Sequence, residues 1–242
     1  MIFTVYLAIW QFLSLKVSLF LRGTSSYDKL NSAGVSMNRL TSLLVSRMAH
    51  MLSGLFLALL YGIFAYVHLL SFFKTQQITM ILFCFSETLL VFFYIFRSKP
   101  VTISVNGFDW MVAIIGTFAP LFFRPTDWGL LPLAKYAIIV GVIAQILGLI
   151  SLNHSFALVA AKRKIKTGWM YRFIRHPIYA SYCLSLLGYV LTNTSLTNVV
   201  VYLVSMVFLC IRMVREEKHL MLDPIYIEYM SKVRYRLIPY IV

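Results

Sequence analysis

The chain has 242 residues, of which 60% are hydrophobic, 16% aromatic and only 12% charged. Ordinary soluble domains carry about twice that share of charge, and a mean hydropathy of +0.82 cannot be hidden in one small water-soluble core. A soluble Rossmann or barrel enzyme, a disordered chain, a collagen-like chain and a plain coiled coil are excluded, and the composition predicts an all-α, polytopic integral membrane protein.

In chain order, the first apolar run covers 1–21 and is interrupted by Lys16. It is long enough to cross a bilayer, since about 20 residues at 1.5 Å each match the hydrocarbon core. Without a basic leader or a small-residue cleavage site, it reads as a span rather than a signal peptide. A polar segment, 22–47, follows, with a short surface helix expected near 37–47. Five clearer runs come next, at 50–73, 78–96, 107–123, 133–153 and 196–211. A shorter one, 177–191, opens on Pro177 and is separated from its successor by Thr192, Asn193 and Thr194, a spacing that fits a tight helical hairpin. Together these runs predict six to seven transmembrane helices.

The formal charge of +14 comes from 22 Lys and Arg against 8 Asp and Glu. In a soluble chain this excess would suggest nucleic acid. Here the cations sit between apolar spans, so they read as topology signals and as contacts to anionic membrane headgroups, with no nucleic-acid partner. The loops 22–47, 97–106 and 154–176 and the tail from 212 hold every basic residue except Lys16, Lys74, Arg124 and Lys135. Lys and Arg accumulate in cytoplasmic loops, which predicts a cytoplasmic C-terminus and 154–176 loop. A bacterial inner membrane and an endoplasmic reticulum membrane fit this pattern equally. Cys84, Cys183 and Cys210 lie inside apolar runs as packing residues, and the five histidines show no metal-ligand spacing, so no metal is expected. Glu87 is the one acid deep in a span. Intramembrane ionisable groups face the bundle interior, so it is expected there, neutral or paired with Lys16.

Two polar constellations stand out. The first is YRFIRHPIYASY, residues 171–182. Arg172, Arg175, His176 and Tyr179 cluster at a helix start whose Pro177 falls in the first turn, where its missing N–H costs nothing. Exposed N–H groups and two arginines there favour an anion such as a carboxylate; a plain positive flank is the competing reading. The second runs from Arg212 to the end. Arg212, Arg215, Glu216 and His219 share one helical face by their spacing of three and four, with Glu217 and Leu220 on a neighbouring face. Asp223 and Pro224 break the helix. Tyr226, Tyr229, Val233 and Leu237 then recur at helical spacing, as in an amphipathic helix lying back against the bundle. Such a tail is either a solvated, salt-bridged end or a set of carboxylates and tyrosines closing over a polar, cationic cofactor.

In the order Tyr171-Arg172, Arg175-His176-Pro177-Ile178-Tyr179, Glu216-Glu217, Leu220, Tyr226, Tyr229 and Arg236 through Pro239, the chain resembles the isoprenylcysteine carboxyl methyltransferase family and its bacterial relatives. The resemblance covers roughly 133–240. It departs from the family pattern at Gly168-Trp169-Met170, at the shortened Asp223-Pro224 connection and at Ser181, positions expected to shape the pocket rim. The resemblance divides the chain into N-terminal transmembrane helices of unassigned role, 1–130, and a methyltransferase core with a cofactor-binding tail, 131–242.

That resemblance implies S-adenosylmethionine as methyl donor and a lipid or prenylated amphiphile as acceptor, most simply an isoprenylcysteine-like carboxylate. Arg175, His176, Tyr179, Glu217, Tyr226 and Tyr229 are the expected cofactor-binding residues; Arg212, Arg215 and Glu216 are the expected catalytic ones. A carboxylate acceptor is already a nucleophile and needs only positioning in a dry pocket. A phospholipid amine or other small amphiphile is the alternative, and there His176 or a glutamate must act as base. A nicotinamide-dependent membrane reductase and a non-enzymatic membrane protein complete the alternatives.

Overall fold

A computed structural model describes residues 47–96, 98, 102–103, 106–155, 161–162 and 165–239. The apolar run 1–21 and the surface helix expected near 37–47 lie outside the described residues, except for Arg47. That residue opens the first described helix, α1 (Arg47–Thr75). It turns at Gln76, whose φ of 55° ends the helix, into the antiparallel α2 (Ile78–Phe96). The two pack through Leu57, Leu60, Phe64, Leu90, Phe93 and Tyr94, with Tyr61 stacked on Tyr94 at 5.5 Å between ring centres. Lower in this pair, Glu87 Oε2 lies 2.8 Å from His68 Nδ1. Glu87 thus finds its partner on the neighbouring helix. Pairing inside the bundle removes the cost of facing lipid. Next to it, Gln145 Nε2 donates to Ser86 Oγ at 3.0 Å.

After β1 (Thr102–Ile103) comes α3 (Gly107–Phe118). Asn106 caps it by accepting from Phe108 N at 2.9 Å, and Asp109 sits in its first turn, where the helix dipole favours an anion. Pro120 cannot continue the α-helical ladder, and the chain passes into a 3-10 turn, Ala119–Phe122. A second such turn, Pro132–Ala134, starts α4 (Lys135–Leu152). β2 (Ala161–Lys162) pairs antiparallel with β1, Thr102 opposite Lys162 and Ile103 opposite Ala161. The remaining helices are α5 (Pro177–Thr192), α6 (Leu196–Leu220) and α7 (Pro224–Lys232).

Among the described residues four helices are long and apolar enough to cross a membrane: His50–Thr75, Ile78–Phe96, Pro132–Leu152 and Leu196–Leu220. This corrects the expected six to seven. The apolar runs at 107–123 and 177–191 form helices, but of 12 and 16 residues. At 1.5 Å per residue these reach about 18 and 24 Å, short of a hydrocarbon core of about 30 Å. Hydropathy registers the greasiness of the first segment and not where Pro120 cuts it; the second has the bounds the sequence shows and is simply too short. The chain is nonetheless a polytopic membrane protein.

α5 packs chiefly on α4, and α6 on α3. The α4–α5 contact is close because it runs through small residues. A Cβ at Gly141 would sit 2.8 Å from Ser185 Cβ, and one at Gly188 would sit 2.9 Å from Ile138 Cγ1. One end of the bundle gathers the β1–β2 pair, the start of α5 and the tail after α6. There the backbone N–H groups of Arg175 and His176 donate to Tyr235 O and Arg236 O, each at 2.9 Å. The opposite end is closed by Asn198, which is fully buried. Its side chain accepts from Arg124 N at 3.0 Å and donates to Arg124 O at 2.8 Å and Asn193 O at 2.6 Å.

Candidate active site

Glu217 is the centre of the charged end. It occupies the last turns of α6 and is 2% exposed. Its Oε1 accepts from Arg175 Nε at 2.7 Å and lies 3.1 Å from His176 Nε2, while Oε2 accepts from Arg236 Nε at 2.9 Å. Arg175 also donates to Val233 O at 3.1 Å. One carboxylate therefore orients two guanidiniums and an imidazole drawn from two other stretches of chain. Charge-assisted bonds of this kind are the strong ones.

Glu216 points elsewhere, as neighbours about 100° apart on a helix must. It accepts from the Tyr179 hydroxyl at 2.5 Å. Tyr179 stacks on His176 at 5.3 Å between ring centres. The Arg212 guanidinium lies over the same phenol ring, 5.5 Å from its centre, and donates to Thr117 Oγ1 of α3 at 2.9 Å. Tyr179 is thus held between a carboxylate at its hydroxyl and a guanidinium on its face. Arg215 turns away from this group: its Nε donates to Asp109 Oδ1 at 2.5 Å, and its guanidinium lies 5.8 Å from the Phe108 ring centre.

α7 lies over the site. Tyr226 and Tyr229 are 4% and 5% exposed and pack with Val233 against Ile165 and Leu220. The Tyr229 hydroxyl donates to Tyr171 O at 2.7 Å. Burial pushes the phenols of Tyr171, Tyr226 and Tyr229 above their ordinary range, so all three remain neutral hydrogen-bonding groups. Asp223 caps α7 through Ile225 N at 3.1 Å.

Of the residues singled out in the sequence, Arg175, His176, Tyr179, Arg212, Glu216 and Glu217 come together directly, and Tyr226 and Tyr229 cover them. Arg215 joins through Asp109 of α3 instead. Sequence reasoning passed over Asp109 and Thr117, and treated Arg236 as motif rather than site. The available signal for Asp109 was its rarity: one of eight acids, three residues past an Asn at the start of an apolar run.

The residue set fits S-adenosylmethionine. Around Glu217 two guanidiniums face one carboxylate, an excess of positive charge suited to the donor's carboxylate. The start of α5 adds to this: His176 makes no side-chain capping bond there, and uncapped first-turn N–H groups attract an anion. The His176–Tyr179 and Tyr226–Tyr229 rings suit a purine. Among the described residues no group of His, Cys, Asp and Glu is placed to hold a metal ion.

Residues 131–226 match the family model for phospholipid methyltransferase. No curated protein matches the chain. The match favours methyl transfer over nicotinamide-dependent reduction and over a non-enzymatic role, and it is to phospholipid methyltransferase rather than to the isoprenylcysteine enzymes. The segment that carries the Arg175–His176 and Glu216–Glu217 groups is thus similar to the phospholipid methyltransferases, and the chain is an S-adenosylmethionine-dependent membrane methyltransferase.

Proposed function

We propose that this methyltransferase acts on the amine of a membrane phospholipid, at a site on the cytoplasmic side. The observation that carries the reading is the arrangement around Tyr179: a carboxylate, Glu216, and a guanidinium, Arg212, lie one helical turn apart on α6 and share that ring. One turn is about 5.4 Å, with Arg212 on the side towards the bundle interior. A phospholipid whose acyl chains stay in the bilayer presents its charges in this order, phosphate deeper and ammonium nearer the surface. An isoprenylcysteine carboxylate would instead place its negative charge against Glu216.

In this reading Arg175, His176 and Arg236, oriented by Glu217, hold the donor's carboxylate. Tyr226 and Tyr229 close over its purine. Bound S-adenosylmethionine supplies a methyl group activated on a sulfonium. The remaining work falls on the chain: Arg212 holds the acceptor phosphate, and Glu216 takes one proton from the ammonium, freeing the nitrogen lone pair for attack. Arg215, through Asp109, fixes α3 against α6 at the acceptor's edge. Anionic headgroups pair with the exposed cations of the same face. The chain divides into membrane helices up to 130, which shape the acceptor's side of the site, and the methyltransferase core with its tail from 131.

The test is methyl transfer from labelled donor in nanodiscs, with phosphatidylethanolamine and a farnesylcysteine analogue as competing acceptors. Label is expected in the phospholipid. Glu216→Gln is expected to lower that transfer by about a hundredfold while calorimetry shows donor binding retained. Label in the farnesylcysteine ester, with none in phospholipid, would sink the reading.

A further inference from the structure

The outer surface of the cap over the site has a composition its inner chemistry does not require. The 3-10 turn Trp169–Arg172 presents Trp169 at 70% exposure, and Phe173, the next residue, is 68% exposed. Across the cap, Leu222 and Ile225 are 73% and 62% exposed. The same stretches of chain carry the exposed cations Arg172, Lys218 and Arg234. The acids of this surface are engaged within it: Asp223 caps α7, and Glu228 pairs with Lys232.

Trp169 adds an independent observation. Its φ is 54°, in the left-handed region that bulky side chains avoid. Gly168 beside it has open space where a Cβ would stand. The turn therefore holds a strained backbone and leaves a large indole outside any core. In water both features are unfavourable. At a membrane interface an indole is at home, apolar body towards the acyl chains and N–H towards the headgroups.

We infer that the 169–173 turn is an interfacial anchor that docks on an anionic leaflet at the site end of the bundle. Trp169 and Phe173 enter the boundary between headgroups and acyl chains, and Arg172 meets the lipid phosphates. The occupant is a lipid surface rather than a protein because the exposed cation Arg172 lies between two exposed aromatics, Trp169 and Phe173, the pairing of aromatic and basic side chains that suits a membrane interface. The anchor is tied to the cap: Tyr171, inside the same turn, accepts from the Tyr229 hydroxyl, and the chain leads directly to the Arg175 and His176 N–H groups bonded to the tail. Docking therefore steadies the closed cap, whichever acceptor the enzyme methylates.

Two measurements in nanodiscs of phosphatidylcholine, alone or mixed with phosphatidylglycerol, test this. In a variant with Trp10, Trp110 and Trp128 replaced by Phe, Trp169 emission is expected to be blue-shifted and quenched by acyl-brominated lipid, more so with the anionic mixture. Emission typical of water that aqueous iodide quenches in both compositions would overturn the anchor. In the otherwise wild-type chain, hydrogen exchange at Arg175 and His176 N–H is expected to slow about tenfold in the anionic mixture. Arg172→Glu is expected to remove that difference while leaving exchange in α4 unchanged. Equal exchange in both lipid compositions would overturn the coupling to the cap. Neither readout depends on methyl transfer, so failure here is distinguishable from a wrong acceptor.

Discussion

Both ends of the bundle are sealed by buried polar side chains, yet by different kinds. At the Asn198 end these bonds join neutral groups: Thr126 N donates to Asn193 Oδ1 at 3.1 Å, Leu130 N to Thr194 Oγ1 at 3.0 Å, and Leu131 N to Leu191 O at 2.9 Å. Side-chain amides and hydroxyls there do what a turn needs, satisfying backbone groups that would otherwise be orphaned in an apolar setting. At the Glu217 end the partners are ions, and the backbone is largely satisfied without them. Buried charge is a poor way to stabilise a fold, because desolvation offsets most of the attraction. Its concentration at one end is therefore a sign of chemistry, whereas the neutral network at the other end is a sign of closure.

The contrast breaks hardest at Glu217. Glu217→Gln leaves Arg175, His176 and Arg236 around an amide, and breaking a buried pair in this way costs about 3–5 kcal/mol. The expected result is a lower melting temperature and donor affinity weakened by about a hundredfold, read by thermal shift and calorimetry on the same sample. Unchanged donor affinity in folded protein would make the charged end structural, like its counterpart.

Asn198→Ala is the matching experiment at the neutral end. It removes an acceptor and two donors from fully buried groups, at a cost of about 1–3 kcal/mol. Thermal stability is expected to fall while donor affinity, measured at a temperature where both proteins are folded, stays at the wild-type value. A weakened donor affinity would mean that the two ends are coupled through α6.

The sequence discloses these ends unequally. The runs 78–96 and 133–153 coincide closely with α2 and α4, because a helix in lipid needs an unbroken apolar stretch and little else. The convergence of Arg175, His176 and Glu217 was legible from motif order. What was not legible are pairings between segments far apart in the chain. Hydropathy carries no information on which helices touch, so Asp109 with Arg215 and Thr117 with Arg212 could not be read from spacing. For the same reason His68 could not be chosen as the partner of Glu87. The span count failed for a different reason: Pro120 ends a helix inside a stretch that remains apolar, and the 177–191 run, whose bounds the sequence does show, is too short to cross.

Asp109→Asn tests whether the contact between α3 and the site is more than packing. The amide keeps an acceptor for Arg215 Nε but removes the charge, and the Arg215 side chain is 31% exposed. Solvent screening limits the loss of stability to under about 1 kcal/mol. The informative quantity is the Michaelis constant for the acceptor, expected to rise about fivefold with donor affinity unchanged, in keeping with a change at the acceptor's edge of about 1 kcal/mol. An unchanged acceptor constant would assign the pair to helix packing alone.

The smallest effect belongs to the ion pair that resembles the site pairs on paper and differs from them in surroundings. Lys232 Nζ donates to Glu228 Oε1 at 2.6 Å across one turn of α7, with both side chains about two-thirds exposed. The Lys232 ammonium holds the Glu228 carboxyl below the usual range. A depressed folded-state value means that any stabilisation is present above the unfolded carboxylate's pKa and fades as pH falls through the folded one. In full solvent the pair also meets screening and the entropy of two long side chains. Melting curves of Glu228→Gln are therefore expected to superimpose on wild type from acid to neutral pH. A distance as short as those around Glu217 then carries no measurable stability, because burial rather than geometry decides what an ion pair is worth.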